Sequence, residues 1–238
     1  MLHLGLCVAL AGPVVPLPQA HSHNDYVRRR PLLDALDHGF CSVEADVFRV
    51  GDALLVAHER ATLRPERTLE ALYLEPLRAR VRANGGRVYR DGPAFTLMVD
   101  IKENGAETYA RLREVLAGYR EMLTEVRDGK GTERAVAVVI SGDRPKERVL
   151  AERERLVGID GRLGDLASAL PAHAMPLLSD HWPTHFRWRG EGPMPEDERR
   201  KLREIVVRRP GVVARPGTAF PVAVARLEHR HLGHRPSL

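Results

Sequence analysis

The chain has 238 residues, 43% of them hydrophobic and 29% charged. That is the make-up of a globular protein with one large domain or two small ones, and it excludes a disordered chain. The formal net charge is +5, but the basic residues are mostly Arg interleaved with Glu, as at 147–155 and 196–209, with no aromatic stripe among them. This excludes a nucleic-acid footprint and leaves a mild positive field that would draw phosphate-bearing substrates.

Two cysteines, Cys7 and Cys41, rule out a disulfide framework. Residues 2–10 are apolar and Ala9-Leu10-Ala11 has a small-x-small form, the pattern of a short secretory signal over 1–11, although no Lys or Arg precedes it. A secreted or periplasmic protein is therefore expected, with a main domain over 12–209. No apolar run is long enough to span a bilayer.

Residues 14–20 read as a first strand that delivers His21-Ser22-His23-Asn24-Asp25-Tyr26 into a loop. Residues 31–38 have helix chemistry, with a proline at the start and Gly39 as the stop. Residues 40–50 form a strand by β-branched content and alternation, and 53–57 a second short strand after Gly51-Asp52. A helix is predicted over 69–84, a strand over 95–102 and a long amphipathic helix over 107–126. Residues 135–140 are an almost unbroken apolar strand, as burial on both faces requires. A helix follows to about 156, then weaker strands at 157–160 and 175–178, and a helix over 195–208. The alternation of strands and helices predicts βα units around a parallel sheet. Residues 210–238, rich in Arg, Pro, Gly and His, lack that pattern and read as an atypical, disordered segment.

Residues two apart on a strand share a face. Glu44 and Asp46 therefore point one way, with Val43, Ala45 and Val47 on the other side; Asp100 and Lys102 are arranged alike. Carboxylates on such apolar strands are costly to bury without a cation or a hydrogen-bond network. Glu44, Asp46 and Asp100 make a hard-cation site suited to Mg²⁺ or Ca²⁺. A solvated polar strand face is the bland alternative, disfavoured because the polar positions gather near strand ends. Histidines at His21 or His23 and at His58 flank the acidic pair, and Lys102 would stabilise an anionic phosphate.

HNDY, VEAD about 20 residues on, a histidine about 12 further and then DIK together resemble the phospholipase C-like phosphodiesterase superfamily. That superfamily includes glycerophosphodiester phosphodiesterases and sphingomyelinase D-type phospholipases. RPLLDALDHGFCSVEADV, LLVAHE, RTLEALYLEPL, FTLMVDIK and ISGDRP are similar to its "altered inheritance of mitochondria" branch and bacterial relatives, over residues 14–205. The resemblance implies an α/β fold, a TIM-type (β/α)8 barrel, with a last βα unit that this sequence encodes poorly. It implies His23 and His58 as the catalytic histidines, with Asn24 where glycerophosphodiesterases carry Arg. Glu44, Asp46 and Asp100 would be the metal carboxylates and Lys102 the phosphate-supporting lysine; His21 has no counterpart and is an outer residue at best. The implied reaction is cleavage of a small phosphodiester or a phospholipid headgroup with one divalent cation, by hydrolysis or through a cyclic phosphate.

Arg144 could contact phosphate or lie at the surface. Trp182, with Trp188, His181 and His185 in the loop at 179–192, could meet a headgroup or a lipid surface, or pack as a lid. The His229-to-Arg235 run reads as tail rather than metal site, having no acidic or cysteine partner at suitable spacing. Two rival functions remain: a polynuclear zinc phosphoesterase or amidohydrolase opening at His21-x-His23, and a non-catalytic binding protein derived from a barrel.

Overall fold

The structure is a computed structural model that describes residues 14–207. The signal segment proposed over 1–11 and the segment at 210–238 lie outside the described residues. The chain runs β1 (Leu17–Ser22), α1 (Leu33–Asp37), β2 (Phe40–Val50), β3 (Ala53–Val56), a π-helical turn (Glu70–Leu74) continuing into α2 (Glu75–Ala83), β4 (Phe95–Ile101) and α3 (Gly105–Ala117). Then come β5 (Glu125–Arg127), β6 (Lys130–Thr132), β7 (Val136–Gly142), α4 (Lys146–Ala151), β8 (Glu154–Arg155), β9 (Val157–Gly161), β10 (Leu177–Leu178), α5 (Trp182–His185) and α6 (Glu196–Val207).

Six strands pair in parallel in the order β1-β2-β4-β7-β9-β10, with β3 turning back antiparallel on β2. Strands β6-β5-β8 form a small separate antiparallel sheet. The expected (β/α)8 barrel is thus corrected to a curled half-barrel of six parallel strands with few helices. The reason lies in the connections. Helix α4 spans only six residues, and among the described residues the link from β9 to β10 carries no more than a 3-10 turn at Leu163–Asp165.

Register explains the burial. Val47 pairs with its neighbours at the level of Ile101, and Asp46 stands beside Asp100, which stands beside Ser141. One sheet face therefore carries Val43, Ala45, Val47, Leu97, Val99, Ile101, Val138 and Ile140, all in the main core with Tyr73, Leu77, Tyr109 and Leu112 from the helices. The other face carries Ser42, Glu44, Asp46, Thr96, Asp100 and Ser141, above a small apolar floor of Met98, Val139 and Leu177. Since the strands are parallel, their C-terminal ends share one rim, and every group discussed below stands on or near it.

Three helix expectations also changed: the helix expected to run to about 156 stops at Ala151, because Glu154–Arg155 pairs with β5 as strand β8. The helix expected over 69–84 contains the π turn because Pro76 has no N–H to give the carbonyl four residues back and its ring crowds that carbonyl. The helix expected over 107–126 stops at Gly118, and 125–132 is a hairpin turning on Asp128-Gly129, both at positive φ.

Candidate active site

Strand alternation turns Glu44 and Asp46 of β2 and Asp100 of β4 onto the polar face, where the three are 1%, 0% and 9% exposed. One oxygen from each lies within 4.8 Å of the others. Three buried carboxylates this close repel one another strongly unless cations join them. Lys102 supplies one: its Nζ stands 2.6 Å from Asp46 Oδ2 and 3.2 Å from Asp100 Oδ1. Burial works against the Lys102 ammonium, but its bonds to Asp46 and the charge of Asp100 outweigh it and hold the amine above its ordinary range. Asp46 Oδ1 remains buried without a hydrogen-bond partner. An all-oxygen donor set that includes an orphaned carboxylate oxygen fits a hard divalent cation.

Each predicted histidine meets one carboxylate. His23 Nε2 is 3.1 Å from Glu44 Oε2, and His58 Nδ1 is 3.0 Å from Asp46 Oδ2. The Tyr26 hydroxyl, which sequence reasoning missed, lies 2.6 Å from Asp46 Oδ2 and 3.0 Å from His58 Nδ1. Burial first, then the bond to Asp46, push the phenol well above its ordinary range, so Tyr26 is a fixed donor to the carboxylate. With two acceptors before Nδ1, the His58 ring hydrogen is assigned there, which makes Nε2 the basic nitrogen.

The loop carrying His23 is itself tethered. Asn24 sits at φ 49 and donates its backbone N–H to Glu44 Oε2 at 3.1 Å, while its side-chain Oδ1 is 3.0 Å from the Tyr26 hydroxyl. Asp25, fully buried, accepts from Ser22 Oγ at 2.9 Å, from the Leu32 N–H and from Tyr73 Oη at 3.1 Å. Burial raises the Asp25 carboxyl above its ordinary range despite these donors. His21 lies below the carboxylates, its Nδ1 2.8 Å from Ser42 Oγ.

Of the proposed substrate contacts, Arg144 stands at the end of β7 with Nη1 donating to Gly142 O at 3.0 Å and Nε buried without an acceptor. Trp182 is buried, stacked on Phe186 at 4.1 Å between centroids, with Nε1 donating to Trp188 O at 2.7 Å. The tryptophan loop is thereby packed upon itself. Sequence reasoning also missed Asp160 and Arg162 at the end of β9. Their one-apart acid–base spacing repeats that of Asp100 and Lys102 and was the available signal.

A family model described as the AIM6-like phosphodiesterase domain matches residues 9–158, more than half of the chain. The chain belongs to this family. The altered inheritance of mitochondria protein 6 homolog of Arthroderma benhamiae is 33% identical over 175 residues, 64% of this chain and 55% of that protein. Altered inheritance of mitochondria protein 6 of Eremothecium gossypii is 30% identical over 200 residues, 70% of this chain and 51% of that protein. The Saccharomyces cerevisiae protein of the same name is 48% identical over 66 residues, 27% of this chain and 17% of that protein. The chain spans about half the length of the first two relatives. No solved structure matches it. The match bears out the resemblance to the AIM6-type branch, and its span covers His23, Tyr26, Glu44, Asp46, His58, Asp100 and Lys102 but not Asp160 or Arg162.

Proposed function

We propose that this chain cleaves phosphodiesters of the glycerophosphodiester or phospholipid-headgroup type, with Glu44, Asp46 and Asp100 as the seat of one Mg²⁺ or Ca²⁺. The observation that carries the reading is the convergence of three buried carboxylates, one lysine and two histidines on a single strand rim. All three cluster ligands are oxygens, which favours a hard cation over the polynuclear zinc reading. Such a cation would supply Lewis-acid polarisation of the diester oxygens.

The side chains have separable tasks. Lys102, fixed by Asp46 and Asp100, faces the phosphate's charge with its ammonium. His58, aligned by Asp46 and Tyr26, offers Nε2 to a proton of the nucleophile or leaving group. His23, held by Glu44, serves the opposite end of the same bond. One histidine takes the nucleophile's proton and the other returns one to the departing alkoxide. The nucleophile is water, or a substrate hydroxyl that closes a cyclic phosphate. Among the described residues no helix is long and apolar enough to cross a membrane, and contact with a lipid substrate would be made from the surface.

Turnover of bis(p-nitrophenyl) phosphate with added Mg²⁺ or Ca²⁺ tests the reading. His23→Ala and His58→Ala should each lower kcat by about 10²–10⁴-fold with an unchanged circular-dichroism spectrum. Near-wild-type turnover in either variant refutes the assignment.

A further inference from the structure

We infer that Arg144 and Arg162 form a second anion-binding subsite on the β7–β9 side of the rim, which takes a phosphomonoester carried on the alcohol portion of the substrate. This rests on the phosphodiesterase reading and names the substrate class of that same site.

Arg162 is pinned rather than free at the surface. Asp160 is fully buried, and its Oδ2 accepts from Ser141 Oγ at 2.7 Å, Ser179 Oγ at 2.6 Å and Arg162 Nη1 at 2.6 Å. Arg162 Nη1 also reaches Gly161 O at 3.0 Å, and the Arg162 backbone N–H donates to Asp165 Oδ2 at 2.9 Å. One edge of the guanidinium is thus fixed while 39% of the side chain stays exposed. Ser141 ties this cluster to the catalytic strands, because it is the register neighbour of Asp100.

Arg144 links the cluster to the carboxylates from the other side. It holds the Gly142 carbonyl, and the Gly142 backbone lies so close to Asp100 that a Cβ there would stand 2.6 Å from Asp100 Oδ1. Burial, and next the Arg162 charge, disfavour the Arg144 cation. Of the nearby carboxylates, Asp160 gives Oδ2 to Arg162 while its buried Oδ1 has no hydrogen-bond partner, and Asp165 is held by Lys146 Nζ at 2.7 Å. Among the described residues no ion pair of Arg144 with a carboxylate is formed, and its Nε has no acceptor. Two neighbouring guanidiniums repel each other, an oxyanion that joins them relieves this, and phosphate suits their planar donor geometry. The first phosphate belongs at Lys102 and the carboxylates, so these arginines are placed for a second.

The test pairs two substrates that differ by one phosphomonoester, glycerophosphoinositol and glycerophosphoinositol 4-phosphate. The wild-type protein should show kcat/KM about tenfold or more higher for the 4-phosphate, and Arg162→Gln and Arg144→Gln should each reduce that preference, mainly through KM. Equal kcat/KM for the two substrates in the wild type overturns the subsite, as does an equal loss on both in the variants. If neither substrate is cleaved, the phosphodiesterase reading fails on its own, and calorimetric binding of inorganic phosphate to the full chain then decides. Weakening by about tenfold in either variant sustains the subsite, and unchanged binding removes it.

Discussion

The Tyr26 hydroxyl joins Asp46 to His58, so a single oxygen aligns a carboxylate of the candidate metal site with a proposed catalytic histidine. Tyr26→Phe keeps the ring in the core and removes only that oxygen. It should lower activity by about 10–100-fold, by loosening His58 and Asp46 together, and should cost about 1.5–3 kcal/mol of stability as a bond to a charged group is lost. Steady-state kinetics and urea unfolding measure the two effects; wild-type kinetics would show that His58 needs no such support. Asp25, one residue earlier, has a pH signature. Its carboxyl is raised above the ordinary value of 3.8, so the folded state holds the proton more tightly than the unfolded chain. That contribution to stability is fully present below pH 3.8 and is lost as pH rises through the elevated folded value. Asp25→Asn keeps the bonds available, with Nδ2 donating to the Ser22 hydroxyl and Oδ1 accepting from Leu32 and Tyr73. The variant's stability relative to wild type should therefore improve from pH 4 toward neutrality, and a constant difference across urea titrations would contradict this.

At the level of elements, the parallel strands come so close that some positions exclude a side chain. A Cβ on Gly142 would lie 2.3 Å from Ile101 O and 2.6 Å from Asp100 Oδ1, at φ +67. Gly129, at φ +76 in the β5–β6 turn, has nothing within 4 Å of such a Cβ. Gly142→Ala should therefore destabilise by about 3 kcal/mol and disturb Asp100, whereas Gly129→Ala should cost only about 1 kcal/mol of conformational strain. Equal losses in chemical denaturation would mean that steric contact at the β4–β7 rim is negligible. The same strands were the part most legible in the sequence. Alternation along 40–50 put Glu44 and Asp46 on one face because β-branched and small apolar residues hold the other, and 95–102 repeats the pattern. Local pattern failed where non-local contact decides the outcome. Residues 119–126 look helical, yet Gly118 ends α3 and β5 pairs with β6 and β8. The role of Tyr26 does not show in local pattern because its partners lie 20 and 32 residues away. Asp160 sits on a five-residue strand too short to display an alternation, and Arg162 lies just past its end.

Across the whole molecule, the parallel sheet followed from the βα alternation, whereas eightfold closure followed only from resemblance, and the described half-barrel does not bear it out. In this half-barrel the candidate metal site bridges the adjacent interior strands β2 and β4, and its charge bears on stability as well. Glu44, Asp46 and Asp100 bring three carboxylates together beside the ammonium of Lys102, so their repulsion is built into the fold and a divalent cation would relieve it. A cation that binds the folded chain alone stabilises it by about 2.7 kcal/mol at a hundred times its dissociation constant. For a protein of this size that corresponds to a rise in melting temperature of about 5–10 °C. Thermal unfolding with added Mg²⁺ or Ca²⁺ should show this rise, and EDTA should reverse it. Glu44→Gln and Asp100→Asn should each melt higher than wild type without metal, since one repelling charge is gone, and should respond less to the cation. This crossing of metal-free and metal-loaded stabilities is independent of turnover. A midpoint unmoved by either ion at millimolar concentration, or an undiminished response in both variants, would remove the cation from this site.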